Sequence, residues 1–359
     1  MDQHTPTTLP TTIGLDLGAR VTQVAIYNTS GNRVEERKIS TAKDSLEQLL
    51  YRFPGARVVM EASTPTRWIN NLARERGHEV IIANPRKIPI ITSSIRKSDR
   101  NDARLLGEIG QIKPELLSPI ELREDIYQLV RTQLFARQQL VKTRGSLCTF
   151  VRSQVKSVGQ SLPPVDTRVF ASKMRSLLPK ELGSVLEPIL RTIQQLSDEI
   201  DSLDAVVKTS SATDFPKTAV LQQVHGVGPL ISLAFVATVG APDRFKNSRS
   251  LGPYLGLVPR LDQSGQSNPA LAITKHGDTY MRSLLVSAAT RILGPFGVDS
   301  DLRRFGLRII EQGGQRAKGK ARIAVARKLA VLLHRLLLTG EVYEPIRNAD
   351  QPTEEPSAA

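Results

Sequence analysis

An aspartate stands in the middle of the first apolar run of the chain, Ile-Gly-Leu-Asp-Leu-Gly at residues 13–18. A carboxylate taken out of water inside a strand is costly unless it is paired or put to use. A chain that carries one there must build the rest of its sheet around it. The following segments have the composition of that sheet. Residues 21–28 and 33–40 continue as strands after a tight turn at Gly18, 45–53 has helical spacing, and 56–63 is a short apolar strand with Glu61 near its end. Residues 66–77 form a helix closed by Gly77, and 79–85 a strand closed by Pro85. Three early strands followed by alternating helix and strand predict a mixed sheet with helices on its faces. A helix over 98–112 follows, with Ser98 as its N-cap.

Charge narrows the partner. The 359 residues carry 49 Lys and Arg against 35 Asp and Glu, a formal net charge of +14, and the pI is about 10.1. This balance favours a polyanion, nucleic acid before membrane. Aromatic residues make up 4% of the chain, too few for broad base-stacking platforms. The single cysteine, Cys148, rules out an internal disulfide framework and any cysteine-based zinc cluster, and the five histidines have no paired ligand spacing. The polar N-terminus lacks an apolar signal core, and no apolar run reaches the roughly 18–20 residues needed to cross a bilayer. A cytoplasmic protein, nucleoid-associated when bound to DNA and without a membrane partner, is expected.

Beyond the first unit the chain reads as helical. Residues 121–157 are helical and basic, and the piece from Arg131 to Lys156 has six Lys or Arg and no acid, the composition of a phosphate-facing surface. Ile189, Ile193, Leu196, Ile200, Leu203 and Val207 step 4, 3, 4, 3, 4, a heptad-like seam for a partner helix or a second subunit. Residues 303–335 hold ten Lys or Arg against one acid, Glu311, whereas the last nineteen residues hold five acids and one arginine. The organisation expected is a disordered N-terminus at 1–11, an α/β domain at 12–115, a helical and partly coiled-coil region at 116–212, a mostly α-helical domain at 213–340, and an acidic disordered tail at 341–359.

Four acids carry the chemistry. Asp16 and Glu61 lie on apolar strands, and Asp99 and Asp102 stand at i and i+3 in Lys-Ser-Asp-Arg-Asn-Asp-Ala, on one helix face. Brought together, they would repel one another and need cations; hard oxygen donors select Mg²⁺ or Mn²⁺. Two such ions about 4 Å apart can activate a nucleophile and stabilise a leaving oxygen in phosphoryl transfer. Alternatively, Asp16 closes a turn and the helix acids pair with Arg96, Arg100 or Arg104.

The succession of residues 13–18, 58–63 and 97–103 resembles the RuvC-like, RNase H-fold domain of DEDD transposases from insertion sequences that use a bridge RNA. The resemblance implies that Asp16, Glu61, Asp99 and Asp102 are a metal-binding tetrad. Residues 244–289, with Tyr-Leu-Gly-Leu-Val-Pro-Arg and Ile-Thr-Lys-His-Gly, are similar to the C-terminal transposase domain of the same family. There the family uses a loop serine as nucleophile on DNA, and the match falls on Ser264, with Ser267 as competitor. It further implies double-stranded DNA as substrate, a structured non-coding guide RNA, and a homodimer or homotetramer.

Several residues are expected to meet nucleic acid. Gly226 and Gly228, in Gly-Val-Gly-Pro before an apolar helix, resemble a helix–hairpin–helix turn, where backbone N–H groups reach a phosphate. Arg100, Arg260, Lys275, His276 and Arg282 are candidate phosphate contacts, as are Arg316, Lys318, Lys320 and Arg322. The activity expected is that of a DNA transposase or recombinase. The alternatives are a metal-dependent RuvC-like junction nuclease without a covalent step, a sugar-kinase-like ATPase, and a non-catalytic nucleic-acid-binding protein.

Overall fold

Side-chain alternation organises the first unit. The structure, a computed structural model, describes residues 9–85, 99–260 and 271–347, and the chain forms two compact units, Met1–Leu122 and Arg123–Ala359. Five strands, β1 (Thr12–Leu17), β2 (Val21–Tyr27), β3 (Arg33–Ser40), β4 (Arg57–Glu61) and β5 (Glu79–Ala83), form one sheet in the order β3-β2-β1-β4-β5. β1, β2 and β3 are antiparallel, and β4 and β5 extend the sheet in parallel from β1. Ile13, Leu15, Val24, Ile26, Val58 and Met60 point to one face and form a core with α1 (Lys43–Arg52) and α2 (Thr66–Glu75). The alternate residues belong to the other face, where Ala25, Tyr27, Val59 and Ile81 meet α3 (Asp99–Ile112). This is the expected RNase H-like α/β architecture.

Residues 113–122, across the expected boundary between the α/β domain and the helical region, instead complete this unit. After a 3₁₀ turn at Pro114–Leu117, the Leu117 carbonyl accepts from the Asn84 N–H at 3.0 Å and the Ile120 N–H donates to Ile82 at 2.9 Å. The open edge of β5 has backbone groups that need partners, and this segment supplies them. The unit therefore runs through Leu122, past the expected boundary at 115.

The second unit begins with two long helices, α4 (Asp125–Ser157) and α5 (Lys180–Thr213). Arg137 pairs with Asp204, and seven residues along α4 Arg144 donates to Ser197, seven residues back along α5. The two helices are therefore antiparallel, in heptad register. The buried stripe of α5 contains Leu186, Leu190, Ile193, Ser197, Ile200 and Val207. The expected seam is thus correct at Ile193, Ile200 and Val207 and out of phase at Ile189, Leu196 and Leu203, which are half-buried on its flank. The positions missed at Ser197 and Asp204 are polar. They are tolerated there because an arginine from α4 meets each, and such polar seam positions fix register.

Behind this hairpin lies a helical core. α6 (Pro229–Val239) is apolar on every side and is surrounded, with Leu233, Phe235 and Val239 fully buried. α7 (Thr279–Leu293), α8 (Asp301–Glu311) and α9 (Ala317–Thr339) pack with it, and α9 contributes Leu329, Ala330 and Leu333. His334 is also buried in α9; its Nε2 lies 2.9 Å from the Pro242 carbonyl and its Nδ1 2.9 Å from the Ser248 hydroxyl. The tail expected to be disordered from 341 is anchored through 347. Tyr343 N–H donates to Gln223, the Pro345 carbonyl accepts from Asp301 N–H at 2.8 Å, and Glu341 pairs with Arg335. Among the described residues no helix is long and apolar enough to cross a membrane.

Candidate active site

Three glycines seat α3 on the sheet. A Cβ on Gly14 would lie 2.2 Å from the Ala103 carbonyl oxygen, one on Gly107 would lie 2.7 Å from the Tyr27 ring, and one on Gly110 would lie 2.5 Å from Val59. Only glycines allow helix and sheet backbones this close. The ends are tied as well. The Gln111 amide donates to the carbonyls of Pro10 and Asn28, both at 2.8 Å, and Arg57 Nη1 donates to the Gly110 carbonyl at 2.9 Å. The C-terminal end of α3 therefore lies over the start of β1 and β4, and its N-terminal end over their C-terminal ends.

This polarity puts the acids toward one edge of the sheet. Asp16 falls on the same face of β1 as Gly14, and Glu61 on the same face of β4 as Val59, because side chains alternate with period two. The pairing Gly14↔Val59 and Leu15↔Met60 makes Asp16 and Glu61 neighbours across parallel strands. Ala103 lies over Gly14, so Asp102 and Asp99, nearer the helix start, lie toward Asp16. Asp102 is buried, at 7% exposure, and Asp16 and Glu61 are half-buried. Beyond Glu61 the chain turns into α2 through a Ser63–Thr66 turn, in which Thr66 Oγ1 donates to the Glu61 carbonyl at 2.8 Å. The site thus stands at the C-terminal edge of parallel strands, where open α/β sheets commonly bind ligands. The side chain of Asp99 lies outside the described residues, and among these no group of three or more His, Cys, Asp or Glu closes into a cage for a cation. The donor chemistry fits a hard divalent ion: carboxylate oxygens, one of them on a buried side chain, on one face of a sheet edge.

Arg100 and Arg104, on α3, have a different partner from either expectation. Both bond Glu36 of β3, Arg104 at 2.7 Å. Burial pushes the Glu36 carboxyl up, but hydrogen bonds from Arg104 and Arg100 and their charges outweigh it and hold it down at about 2. Arg100 therefore ties α3 to β3 through Glu36 while its side chain stays largely exposed.

The serine candidates Ser264 and Ser267 lie outside the described residues, but the base of their loop is defined. Pro259 and Ile273 form an antiparallel bridge, Arg260 N–H donates to Ala272 at 3.0 Å, and Thr274 N–H donates to Val258 at 2.8 Å. Below the bridge, Gly256 and Gly277 adopt φ of +67° and +86°, and a Cβ on either would lie 2.0 Å or less from a backbone oxygen of His276 or Tyr254. Arg282 is buried there. Its guanidinium donates to the carbonyls of Leu255 and His276 and to Thr279 Oγ1, so it clamps the loop base and is not presented to solvent. Asp278 caps α7 through Met281 N–H at 2.8 Å and pairs with Arg131 of α4 at 2.7 Å. Arg260, Lys275 and His276 remain exposed around this base.

The other expected contacts divide in the same way. Gly226 adopts φ +87° and faces α7, with the Ala288 carbonyl 3.3 Å from where its Cβ would be, whereas Gly228 is exposed at the start of α6. Arg316, Lys318, Lys320 and Arg322 are all exposed. The basic stretch 131–156 mostly turns inward. Arg131, Arg137 and Arg144 engage Asp278, Asp204 and Ser197, and Arg152 donates to the carbonyls of Leu162 and Pro163. Sequence reasoning missed Gly14, Gly107, Gly110, Glu36 and the Arg131–Asp278 pair. The spacing of Gly107 and Gly110 within a helix was the available signal, since glycine is disfavoured there unless something must come close.

Comparison with known proteins finds two family matches in the chain. Residues 13–159 match a family of the DEDD type described as a transposase, and residues 218–296 match the transposase IS116/IS110/IS902 family. A probable family 20 transposase from Pseudomonas aeruginosa is 26% identical over 93% of this chain and 98% of its own length. The transposase for insertion sequence element IS1111A from Coxiella burnetii is 26% identical, covering 92% and 90% of the two chains. A pilin gene-inverting protein from Moraxella lacunata is 23% identical, covering 74% and 75%. With the DEDD-type match ahead of the C-terminal match, the chain carries the two domains of IS110/IS116-type transposases in their order and is a DNA transposase.

Proposed function

We propose that this transposase cuts and rejoins DNA through a serine nucleophile, Ser264, and a carboxylate set of Asp16, Glu61, Asp99 and Asp102 that holds Mg²⁺ or Mn²⁺. The observation that carries the reading is the shared face of Asp16 and Glu61 on adjacent parallel strands, under the end of α3 that bears Asp99 and Asp102. When bound, the divalent ion supplies positive charge against the developing charge of the phosphoryl group. Ser264 Oγ attacks the phosphorus of a phosphodiester. The bond to the 3′ oxygen breaks, the serine proton goes to that oxygen, and a 5′-phosphoserine linkage remains. A 3′-hydroxyl on the exchanged strand then attacks the same phosphorus, its proton returns to Ser264, and the phosphodiester is restored without ATP. Exposed Arg260, Lys275 and His276 beside the loop would meet the phosphates flanking the cut.

Two features support rejoining over simple cleavage: the C-terminal domain match covers the segments that flank the loop, and a relative is named for gene inversion. Under this reading a structured non-coding RNA supplies sequence choice by pairing, and the protein works on double-stranded DNA as a homodimer or homotetramer. The test is a denaturing gel of protein with end-labelled DNA and Mg²⁺. A covalent adduct that disappears in Ser264→Ala and persists in Ser267→Ala is expected. Free nicked DNA with no adduct would instead identify a metal-dependent junction nuclease, and an unchanged adduct in Ser264→Ala would remove the serine assignment. Sequencing the RNA that co-purifies tests the guide: a single discrete species is expected, and its absence rejects guidance.

A further inference from the structure

We propose that a cleft beside the base of the serine loop binds a run of unpaired nucleotides, with bases on its apolar floor and phosphates on its basic rim. The inference rests on the nucleic-acid chemistry above and adds a single-strand site to it. The cleft, about 1390 Å³, is larger than the ~300–1,000 Å³ typical of a pocket for one small molecule, and suits several linked residues. Its wall on one side is α9. That helix buries Ala321, Val325, Leu329 and Leu333 in the core and turns Ile323, Val331 and Leu332 toward the cleft. Leu257 and Ile273, at the root of the loop, and Phe305 of α8 complete the apolar floor.

The rim is predominantly cationic, with Asp301 and Glu344 as its two acids. Arg249, Arg316, Lys320, Arg327 and Lys328 line it, and none of them forms an ion pair with another described residue, whereas Arg335 and Arg347 share Glu341. Arg316 adopts φ +80°, an unusual conformation for a residue with a side chain, at the point where α9 begins. Duplex DNA hides its base faces, so an apolar floor between cations gains nothing from a duplex. Unpaired bases bury those faces, and stacking on one aromatic ring is independent of sequence. Phe305 offers that ring: Lys328 Nζ stands 3.9 Å from its centroid. A base that takes this position releases the ammonium to a phosphate.

Fluorescence anisotropy of the full-length protein with labelled single-stranded RNA, single-stranded DNA and duplex DNA tests the site. Phe305→Leu, which keeps bulk in the floor and removes the ring, is expected to weaken single-strand binding about tenfold and to leave duplex binding unchanged. Arg327→Ala should lower the salt dependence of single-strand binding by about 0.7 in log–log slope. The RNA and DNA arms identify which strand occupies the cleft. Oligonucleotides carrying 5-bromouracil should photocrosslink within residues 305–332. Single-strand binding by Phe305→Leu at the wild-type level, or crosslinks confined elsewhere, would overturn the proposal. A wild-type protein that binds duplex and no single strand overturns the cleft alone; one that binds no polynucleotide overturns the parent reading too.

Discussion

Two basic helices, α4 and α9, carry similar charge in the sequence and opposite uses of it in the fold. The cations of α4 between Arg131 and Lys156 stand in a stretch without acids, yet four of the six are held inside the second unit by Asp278, Asp204, Ser197 and two backbone carbonyls. The cations of α9 and the turn before it stay at the surface, with Arg316, Lys320, Arg327 and Lys328 on the rim of a cleft. The difference comes from the partners. α4 lies against α5, which brings Asp204 and Ser197 in heptad register, and Asp278 and two loop carbonyls take the other two arginines, whereas the outer side of α9 faces solvent and an apolar floor. A run of positive charge marks a nucleic-acid surface only where the fold offers it no internal acceptor.

The largest expected effect breaks the inward-turned set. In the Arg131–Asp278 pair both side chains are nearly buried, and removing one member of such a pair leaves the other desolvated, at a cost of about 3–5 kcal/mol. Arg131→Ala should therefore lower the melting temperature steeply in calorimetry. The salt dependence of DNA binding, measured where the protein is still folded, should be unchanged. A weaker salt slope without loss of stability would place Arg131 on the DNA-facing side. Arg282 belongs to the same class. Arg282→Ala leaves the Leu255 and His276 carbonyls without their guanidinium, about 1–3 kcal/mol for each buried acceptor. Arg282→Lys should not restore stability, because one ammonium cannot reproduce the planar fork.

The outward-turned set predicts the reverse pattern. Arg316→Ala with Lys320→Ala should leave the melting temperature within about a degree, since exposed charges contribute little to stability. Each lost phosphate contact should reduce the log–log salt slope of nucleic-acid binding by about 0.7–0.9. A stability loss comparable to that of Arg131→Ala would erase the distinction between the two helices.

How far the sequence could be read follows the same line. The strands, α3 and the order Asp16, Glu61, Asp99, Asp102 were legible because periods of two and 3.6 are local properties. The face shared by the acids was only implicit, because it depends on Gly14, Gly107 and Gly110 setting the height and direction of α3. The phase of the α5 seam is misread at Ile189, Leu196 and Leu203, because an apolar count passes over buried Ser197 and half-exposed Asp204, which arginines from α4 meet. The partners of Arg100, Arg131 and Arg282 escape the sequence for one reason. An arginine's partner is set by tertiary pairing with Glu36, Asp278 or a loop carbonyl, and none of these is near it in a repeating pattern.

The smallest effect tests this rule in the first unit, where Glu36 holds Arg100 and Arg104. Its carboxyl lies at about 2, below the ordinary 4.5. A depressed carboxyl stabilises the fold fully above its unfolded value, and that stabilisation is lost as the pH falls from about 4.5 through about 2. Glu36→Gln should lower stability at neutral pH by about 1 kcal/mol, given how exposed Arg100 is. It should also flatten the acid limb of the stability profile, so that variant and wild type converge below pH 2. Because α3 carries Asp99 and Asp102, the same substitution tests whether this anchor matters to the acid site. If the glycine seat alone fixes the helix, the metal-dependent DNA cleavage proposed above will match wild type at neutral pH; if the arginines help to hold its first turn, cleavage will fall while the fold persists.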